Sequence, residues 1–163
     1  MKTASHVRKK DSLPLSGESL TEIMRAVLAE GKPFRFRAPG LSMSPFIRDG
    51  DVVTIRPLGS RPPRTGAIAA FLYPGTGKVA VHRIVREKSG RFLLKGDNVP
   101  AIDGSLPLDM ILGTVSRVER NGAKVSLRGR AGAAAIASLS RSGLLSKAVG
   151  AARRAGLRKR GRT

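Results

Sequence analysis

The sequence predicts a mainly β domain with a short helix in front of it and a weakly helical, basic tail behind it. From Phe34 onward, short segments rich in Val, Ile and Phe alternate with Gly, Pro and Asp, which is the pattern of strands and turns. Before this region, residues 19 to 30 have apolar residues at helical spacing. Beyond Gly129 the chain is rich in Ala and Arg and is interrupted by glycines, which weakens any helix there.

The first element is an amphipathic helix predicted over residues 19 to 30. Ser19 and Glu22 form a capping box, in which the two side chains bond to amides that a helix start leaves unpaired. Gly31 then provides a stop. The apolar residues of one helix face are Leu20, Ile23, Met24, Val27 and Leu28. We expect residues 1 to 16 to be a disordered basic segment.

The β core is predicted to span residues 33 to 128, within a domain of residues 17 to 128. The turns between strands include GSRPPRTG and YPGTGK, whose Pro and Gly are poorly suited to a central strand. Residues 129 to 163 form the predicted basic tail, with one or two weak, partly disordered helices. The candidate strands are 34 to 38, 51 to 57, 67 to 73, 78 to 87, 91 to 96, 111 to 119 and 123 to 128.

Composition excludes several classes of protein. The chain has 163 residues and no cysteine, so it has room for one ordinary domain but no disulfide framework and no thiolate zinc site. MKTASHVRKK is followed by DSLPLSGES rather than by an apolar stretch, so no secretory signal is expected. The longest apolar run, AIAAFLY, has the length of a strand, so no transmembrane helix is predicted. We expect a cytoplasmic protein.

The positive charge is concentrated in the tail. The formal net charge is +20, and from Arg120 onward there are about a dozen Lys and Arg and no Asp or Glu. Such a segment is attracted to phosphate, with roughly 1 kcal/mol for each charge near an anionic lipid surface. The tail is therefore a candidate for binding nucleic acid or an anionic membrane, where it would attach the protein peripherally, although such a run of charges is more simply a solvated extension. It has no aromatic residues for base-specific recognition.

Ser42 is the candidate nucleophile. It lies in a predicted turn after a strand, between Gly40 and Pro45, where a side chain can project from the sheet. A serine hydroxyl needs a neighbouring base at neutral pH, and the chain has only two histidines, His6 near the terminus and His82 in a predicted strand. In isolation, Ser42 is more simply a turn serine that caps an amide, and His82 a half-buried core residue.

Three aspartates are candidates for the acid that would orient His82. A carboxylate fixes the tautomer of a histidine base, and Asp97, Asp103 and Asp109 all follow it in the chain. Asp97 could equally satisfy amides of its own turn. Lys78 and Lys95 are rival bases, although both read more simply as surface lysines. Residues 49 to 51 are predicted to form a turn with positive φ at Gly50.

The segment GLSMSPFIRDGDVV resembles the nucleophile box of type I signal peptidases and LexA-like peptidases. The resemblance continues through TGAIAAF, VHRIV, KGDNVPAID and ILGTV, so it covers residues 33 to 118. It implies a signal peptidase or LexA-like β-rich peptidase domain. At the position of His82, bacterial members usually carry a lysine base. The archaeal and endoplasmic reticulum branch carries a histidine there, which this sequence resembles. The resemblance implies that Ser42, His82 and Asp103 are catalytic, supported by Gly40, Met43, Pro45, Arg83 and Asp97.

The implied activity is that of a serine endopeptidase of the signal peptidase type, which cleaves a peptide or preprotein bond. The substrate would bind as an extended strand, the Ser42 amide would bind the oxyanion, and no metal or organic cofactor is implied. The sequence departs from the family in two places. Gly40 replaces a hydroxyl residue found in some signal peptidases, and the helix at 19 to 30 stands where they carry a membrane anchor.

Two alternative functions remain open from the sequence. The missing anchor favours a peptide-binding module that has lost turnover on the same scaffold. The basic tail favours a LexA-like, nucleic-acid-associated regulator, but the single helix before the core is too little for a helix-turn-helix unit.

Overall fold

The structure, a computed structural model, describes residues 17–127, 130–142, 144, 147, 150 and 151. It is mainly β, as the sequence predicts, and its strands form one sheet in which every paired neighbour is antiparallel. In chain order the elements are α1 (Gly17–Ala29), β1 (Phe34–Arg37), β2 (Val52–Pro57), β3 (Ile68–Leu72), β4 (Val79–Lys88), β5 (Arg91–Lys95), β6 (Gly104–Pro107), a 3-10 helix (Leu108–Met110), β7 (Ile111–Arg120), β8 (Ala123–Lys124) and α2 (Arg130–Arg141).

The order of strands across the sheet is β1-β2-β7-β3-β4-β5-β6, and β8 pairs with the C-terminal end of β7. Antiparallel hairpins join β3 to β4, β4 to β5 and β5 to β6. The long strand β7 lies between β2 and β3, so it connects the first part of the chain to these hairpins. Strand β4 lies well inside the sheet and carries His82 and Arg83.

Two strands differ from the sequence-based prediction. Strand β6 (Gly104–Pro107) was not predicted, because Gly104 and Pro107 are poor strand residues by propensity. It forms because β5 offers a free edge, against which Leu106 pairs with Phe92 and is buried. The last predicted strand, 123 to 128, is reduced to Ala123–Lys124, and Val125 adds one amide bond to the Val118 carbonyl.

Two apolar clusters account for the core. The first joins the buried face of α1 to the segment after β1 and to residues of several strands. The second is formed by alternate residues of neighbouring strands. The first comprises Met24, Leu28, Ala38, Met43, Ile47, Val53, Ile55, Ile68, Ala70 and Val118; the second comprises Ala69, Phe71, Ile84, Phe92, Leu94, Leu106 and Ile111. Because Met43 belongs to the first cluster, core packing fixes the backbone next to Ser42.

The helix α2 packs against β4. Its buried residues Ile136, Ala137 and Ser140 lie on one face at helical spacing. Most of the tail's basic residues, like residues 1 to 16, lie outside the described residues. No helix in the described part of the chain is long and apolar enough to cross a bilayer.

The segment between β1 and β2, which contains Ser42, is fastened to β7 by Asp51. Its carboxylate accepts hydrogen bonds from Arg120 Nε at 2.9 Å and Nη2 at 2.7 Å, and from the Arg48 amide at 2.8 Å. Arg120 also donates to the Phe46 carbonyl at 3.3 Å. Gly50, before Asp51, has φ of 80°, as the sequence predicts for this turn.

Burial of Asp51 would by itself raise the pKa of its carboxyl group. The hydrogen bonds from Arg120 and from the Arg48 amide, with the positive charges of both arginines, outweigh burial and lower the pKa below 3.8. Because the pKa is lowered in the folded state, the ionised carboxylate stabilises the fold above about pH 3.8. This stabilisation is lost as the pH falls through the lowered folded pKa.

We expect Asp51→Asn to lower the free energy of unfolding at pH 7 by about 1–3 kcal/mol, because Arg120 loses its charged partner. Urea denaturation between pH 2.5 and pH 7 should also show a weaker acid dependence than in the wild type. Asp109→Asn, which changes an exposed carboxylate in the 3-10 helix, is the matched control and should change neither quantity. Equal losses in the two variants would contradict the prediction.

Candidate active site

Ser42 lies in a tight loop whose two flanks are fixed. On one side Gly40 has φ of 87°, and its amide donates to Asp49 Oδ1 at 2.7 Å. On the other side Met43 is buried, and its carbonyl accepts the amides of Phe46 and Ile47, each at 3.1 Å. Pro45 follows a cis peptide bond and is exposed. The loop therefore holds Ser42, which is half-buried, at the rim of the core.

The turn that follows β5 is hydrogen-bonded to this loop. The Asn98 amide donates to the Ser42 carbonyl at 2.7 Å, and Asn98 Nδ2 donates to the Leu41 carbonyl at 3.0 Å. These residues are separated by more than fifty positions in the chain, so the contact sets where Ser42 lies relative to the end of β5.

His82 is positioned by β4 and oriented by Asp103. Its Nδ1 lies 2.6 Å from Asp103 Oδ2, and the two side chains are 10% and 7% exposed. The Asp103 amide bonds to the Leu94 carbonyl at 3.0 Å, and the His82 ring lies 5.8 Å from that of Phe71. With Nδ1–H donated to the carboxylate, Nε2 keeps its lone pair and can accept a proton.

The close approach of Ser42 and His82 depends on Gly96. A Cβ atom at this position would lie 2.9 Å from the Ser42 carbonyl oxygen, 3.2 Å from His82 Nε2 and 3.0 Å from Val99 Cγ2. Nε2 therefore faces the Ser42 loop. In the described part of the chain no hydrogen bond joins the Ser42 hydroxyl to His82. Both residues line one pocket of about 250 Å³.

Arg83 and Asp97 form a buried ion pair beside these residues. Asp97 Oδ1 accepts from Arg83 Nε at 2.9 Å and Oδ2 from Nη2 at 2.7 Å, while Nη1 donates to the Gly66 carbonyl at 2.9 Å. The guanidinium also lies 5.3 Å from the centre of the Phe46 ring. Because Asp97 precedes Asn98, this pair fixes the turn that contacts the Ser42 loop. A bidentate pair of this kind has a narrow range of geometries.

Lys95 is a buried cationic residue next to the ion pair. It is 1% exposed and lies opposite Arg83 in the sheet register, and among the described residues its Nζ has no hydrogen-bond partner. Burial lowers the pKa of its amine below 10.5, although the charges of Asp97 and Asp103 act in the opposite direction. Sequence reasoning took Lys95 for a surface lysine, which is wrong, because the strand pairing buries it.

The edge of β4 nearest to Ser42 has no strand paired to it between Val79 and His82 in the described part of the chain, although helix α2 also packs against β4. The Tyr73 amide donates to the Lys78 carbonyl, and the Ile84 amide donates to the Ala67 carbonyl. In an antiparallel ladder, every second residue from Lys78 to Ile84 therefore directs its backbone N–H and C=O toward β3. The backbone groups of Val79 and Val81 therefore point the other way, where pairing with β5 begins only at Arg83. The pocket that contains Ser42 and His82 is also lined by these two valines.

The structure brings together most of the residues singled out from the sequence. Ser42, His82 and Asp103 lie together, and the supporting residues Gly40, Met43, Pro45, Arg83 and Asp97 are in the loop or the ion pair described above. By contrast, Asp109 and Lys78 are exposed, and His6 lies outside the described residues. Within the described residues, no group of His, Cys, Asp and Glu side chains could hold a metal ion.

Three contributors to the site were missed from the sequence: Gly96, Asn98 and Asp49. The KGDN run drew attention to its carboxylate, whereas the glycine before it and the asparagine after it make the contacts to the Ser42 loop. Asp49 was read as part of a turn, and its carboxylate also holds the Gly40 amide. A Gly-Asp-Asn run that ends a strand is the signal that could have indicated the close approach.

The chain is similar to a known protein family. A family model described as Peptidase S24-like matches residues 5–116, which include the Ser42 loop, β4 and the turn after β5. No curated protein matches the chain.

We expect Lys95→Met to increase the free energy of unfolding by about 1–3 kcal/mol at pH 7, because it removes a buried amine without a hydrogen-bond partner. The folded-state pKa of Lys95 is lowered, so between that value and 10.5 the unfolded chain binds more protons and stability rises with pH. Denaturation at several pH values up to 10.5 should show that this rise is smaller in Lys95→Met. Lys88→Met, at an exposed position, should behave as the wild type.

We expect Gly96→Ala to destabilise the fold by about 1–3 kcal/mol, because its Cβ would collide with the Ser42 carbonyl. The ring signals of His82 should also shift in a ¹⁵N–¹H spectrum, since Nε2 must move. Gly59→Ala is the control, because a Cβ there meets no atom within 4 Å. If Gly96→Ala leaves both the stability and the His82 signals unchanged, the close approach is not present in solution.

Proposed function

Because the chain belongs to the Peptidase S24-like family, we propose that it is a serine endopeptidase in which Ser42 is the nucleophile, His82 the general base and Asp103 the residue that orients His82. The observation that carries this proposal is the 2.6 Å contact between His82 Nδ1 and Asp103, with Nε2 facing the Ser42 loop. Nucleophile, base and orienting carboxylate are the groups that activation of a serine requires.

In the proposed reaction, Ser42 Oγ attacks the carbonyl carbon of the scissile bond while His82 Nε2 takes the hydroxyl proton. Asp103 stabilises the imidazolium that forms. The tetrahedral intermediate then collapses, the C–N bond breaks, and His82 delivers the proton to the leaving amine. A water molecule then gives a proton to His82 and attacks the acyl ester. The ester C–O bond breaks, His82 returns the proton to Ser42 Oγ, and the new carboxyl end is released.

The oxyanion is proposed to bind at the Ser42 amide. Within the described residues this amide donates no hydrogen bond, whereas the Ser42 carbonyl is held by Asn98. An amide held rigidly and left without an acceptor is ready to stabilise a developing negative charge. Gly40 cannot add a hydroxyl donor, so the Ser42 amide is the donor that we assign.

The absent hydrogen bond between Ser42 and His82 is compatible with this reaction. Catalytic hydrogen bonds are often long in enzymes without substrate and tighten when the substrate binds. The Ser42 side chain has a single rotatable bond to its oxygen, so a change of rotamer moves the hydroxyl without moving the fixed loop.

The pocket beside Ser42 supports a substrate bound as an extended strand. Its volume is about 250 Å³, and most of its wall is apolar. The free N–H and C=O of Val81 can pair with an added strand, as in other cases of strand addition at a sheet edge. The lining includes Phe36, Ala38, Met43, Ile47 and Val79, which favours small apolar side chains near the scissile bond.

A second candidate function is peptide binding without turnover. The observation that favours it is the Ser42 hydroxyl, which has no hydrogen bond to its proposed base. In this case the groove beside β4 would bind an extended peptide, and no acyl-enzyme would form.

We expect a fluorophosphonate probe to label the wild-type protein at Ser42, as shown by mass mapping of the modified peptide. Ser42→Ala should abolish labelling, and His82→Ala should slow it by about 10²–10⁴-fold, because the base is lost. Ser44→Ala, which removes the neighbouring buried hydroxyl, is the control and should be labelled at the wild-type rate. Unlabelled wild-type protein that still binds peptide would support the second candidate instead.

A further inference from the structure

The free edge of β4 ends at α1. Thr21 is 7% exposed, and its Oγ1 accepts a hydrogen bond from the Val79 amide at 3.2 Å. The same hydroxyl donates to the Gly17 carbonyl within the helix at 2.8 Å, so its single proton is used. Toward β4, Thr21 therefore acts only as an acceptor, as the carbonyl oxygen of a neighbouring strand would.

From this contact we propose that α1 closes one end of the substrate groove, and that Thr21 Oγ1 takes the place of a substrate carbonyl at the Val79 amide. Thr21 then sets the number of substrate residues that pair with β4. This inference rests on the proposed peptide-binding groove beside Ser42 and adds to it a limit on substrate length.

The inventory of backbone groups on this edge supports the proposal. Within the described residues, neither the N–H nor the C=O of Val81 has a backbone partner, because its position in the ladder directs both away from β3. The N–H of Val79 already donates to Thr21 Oγ1, so only its C=O remains to pair with a peptide. An added strand can thus form both bonds at Val81 but not the amide bond at Val79.

The helix also closes the groove sterically. Leu20 lines the same pocket as Ser42, and the Lys78 side chain lies against the start of α1, 3.4 Å from the position of a Cβ on Gly17. Moving the helix aside would expose Met24 and Leu28, which are buried on its inner face in the first apolar cluster. Helix α1 is therefore a fixed wall.

The distance along the strand sets the length limit. Between His82 and Val79 the chain advances about 3.3 Å per residue, or roughly 10 Å in all. This accommodates about three substrate residues on the arm of the groove that runs toward α1. A longer substrate must turn away from the sheet beyond this point, and its further residues add no contacts to β4.

The test uses the full-length Ser42→Ala protein and fluorescein-labelled peptides selected for binding to it from a random library. The best binder is shortened and extended by one residue at a time at each end, and Kd is measured by fluorescence anisotropy. At one end, Kd should improve over about three residues from the scissile position and then become constant. If affinity keeps improving with length at both ends, the proposal is wrong.

Two substitutions in the same background isolate the Thr21 hydroxyl. Thr21→Val keeps the shape and frees the Val79 amide, so one further residue should improve Kd by about two- to tenfold. Thr21→Ser keeps the hydroxyl and should give the wild-type length dependence. Equal length dependence in the two variants would overturn the role of the hydroxyl. If Thr21→Val does not fold, the plateau in the Thr21 protein decides the proposal.

The failure of this inference can be distinguished from the failure of the proposed function. A peptide-length plateau together with an unreactive Ser42 in the wild-type protein would remove peptide hydrolysis but keep the closed groove. Labelling of Ser42 without a plateau would keep the peptidase and remove the closed groove. If the library yields no binder at all, the groove proposed here does not bind peptide, and the inference fails.

Discussion

The hydrogen bond from the Asn98 amide to the Ser42 carbonyl joins two distant parts of the chain, and the site depends on it. It is a main-chain contact of 2.7 Å, so it fixes backbone against backbone. Gly96, two residues before Asn98, has no side chain, and a Cβ there would lie close to both the Ser42 carbonyl oxygen and His82 Nε2, so the glycine makes room for both. The turn at the end of β5 thus positions the candidate nucleophile and the candidate base together.

Each buried carboxylate around this turn has a hydrogen-bond partner. Asp103 contacts the ring of His82, and Asp97 forms an ion pair with Arg83. Breaking such a pair usually costs more than forming it gains, because the remaining charge is left in a medium of low polarity. Lys95 is the exception within the described residues of this region: its amine is buried without a hydrogen bond. Part of the stability is therefore given up at the place where the chemistry is proposed.

The same fold that positions the site also limits access to it. Beside Ser42, part of strand β4 has no paired strand in the described part of the chain, and an unpaired edge can bind an extended chain. Helix α1 covers one end of that edge through Thr21 and is itself held by the apolar core. The family match covers this helix, strands β1 to β6 and the first part of β7. The proposed peptidase site and its proposed length limit thus depend on the packing of α1 against the sheet.

The sequence by itself determined the class of fold and the residues that could take part in catalysis. Alternating apolar segments and turn residues are local signals, so most strands could be predicted, and a resemblance along the chain indicated Ser42, His82 and Asp103. Tertiary structure decided what local signals do not encode. It made a strand of Gly104–Pro107, buried Lys95, paired Asp103 with His82 and Asp97 with Arg83, and set Thr21 against Val79. Each of these depends on which distant segments become neighbours in the sheet, and strand order and register fix that only when the whole domain folds.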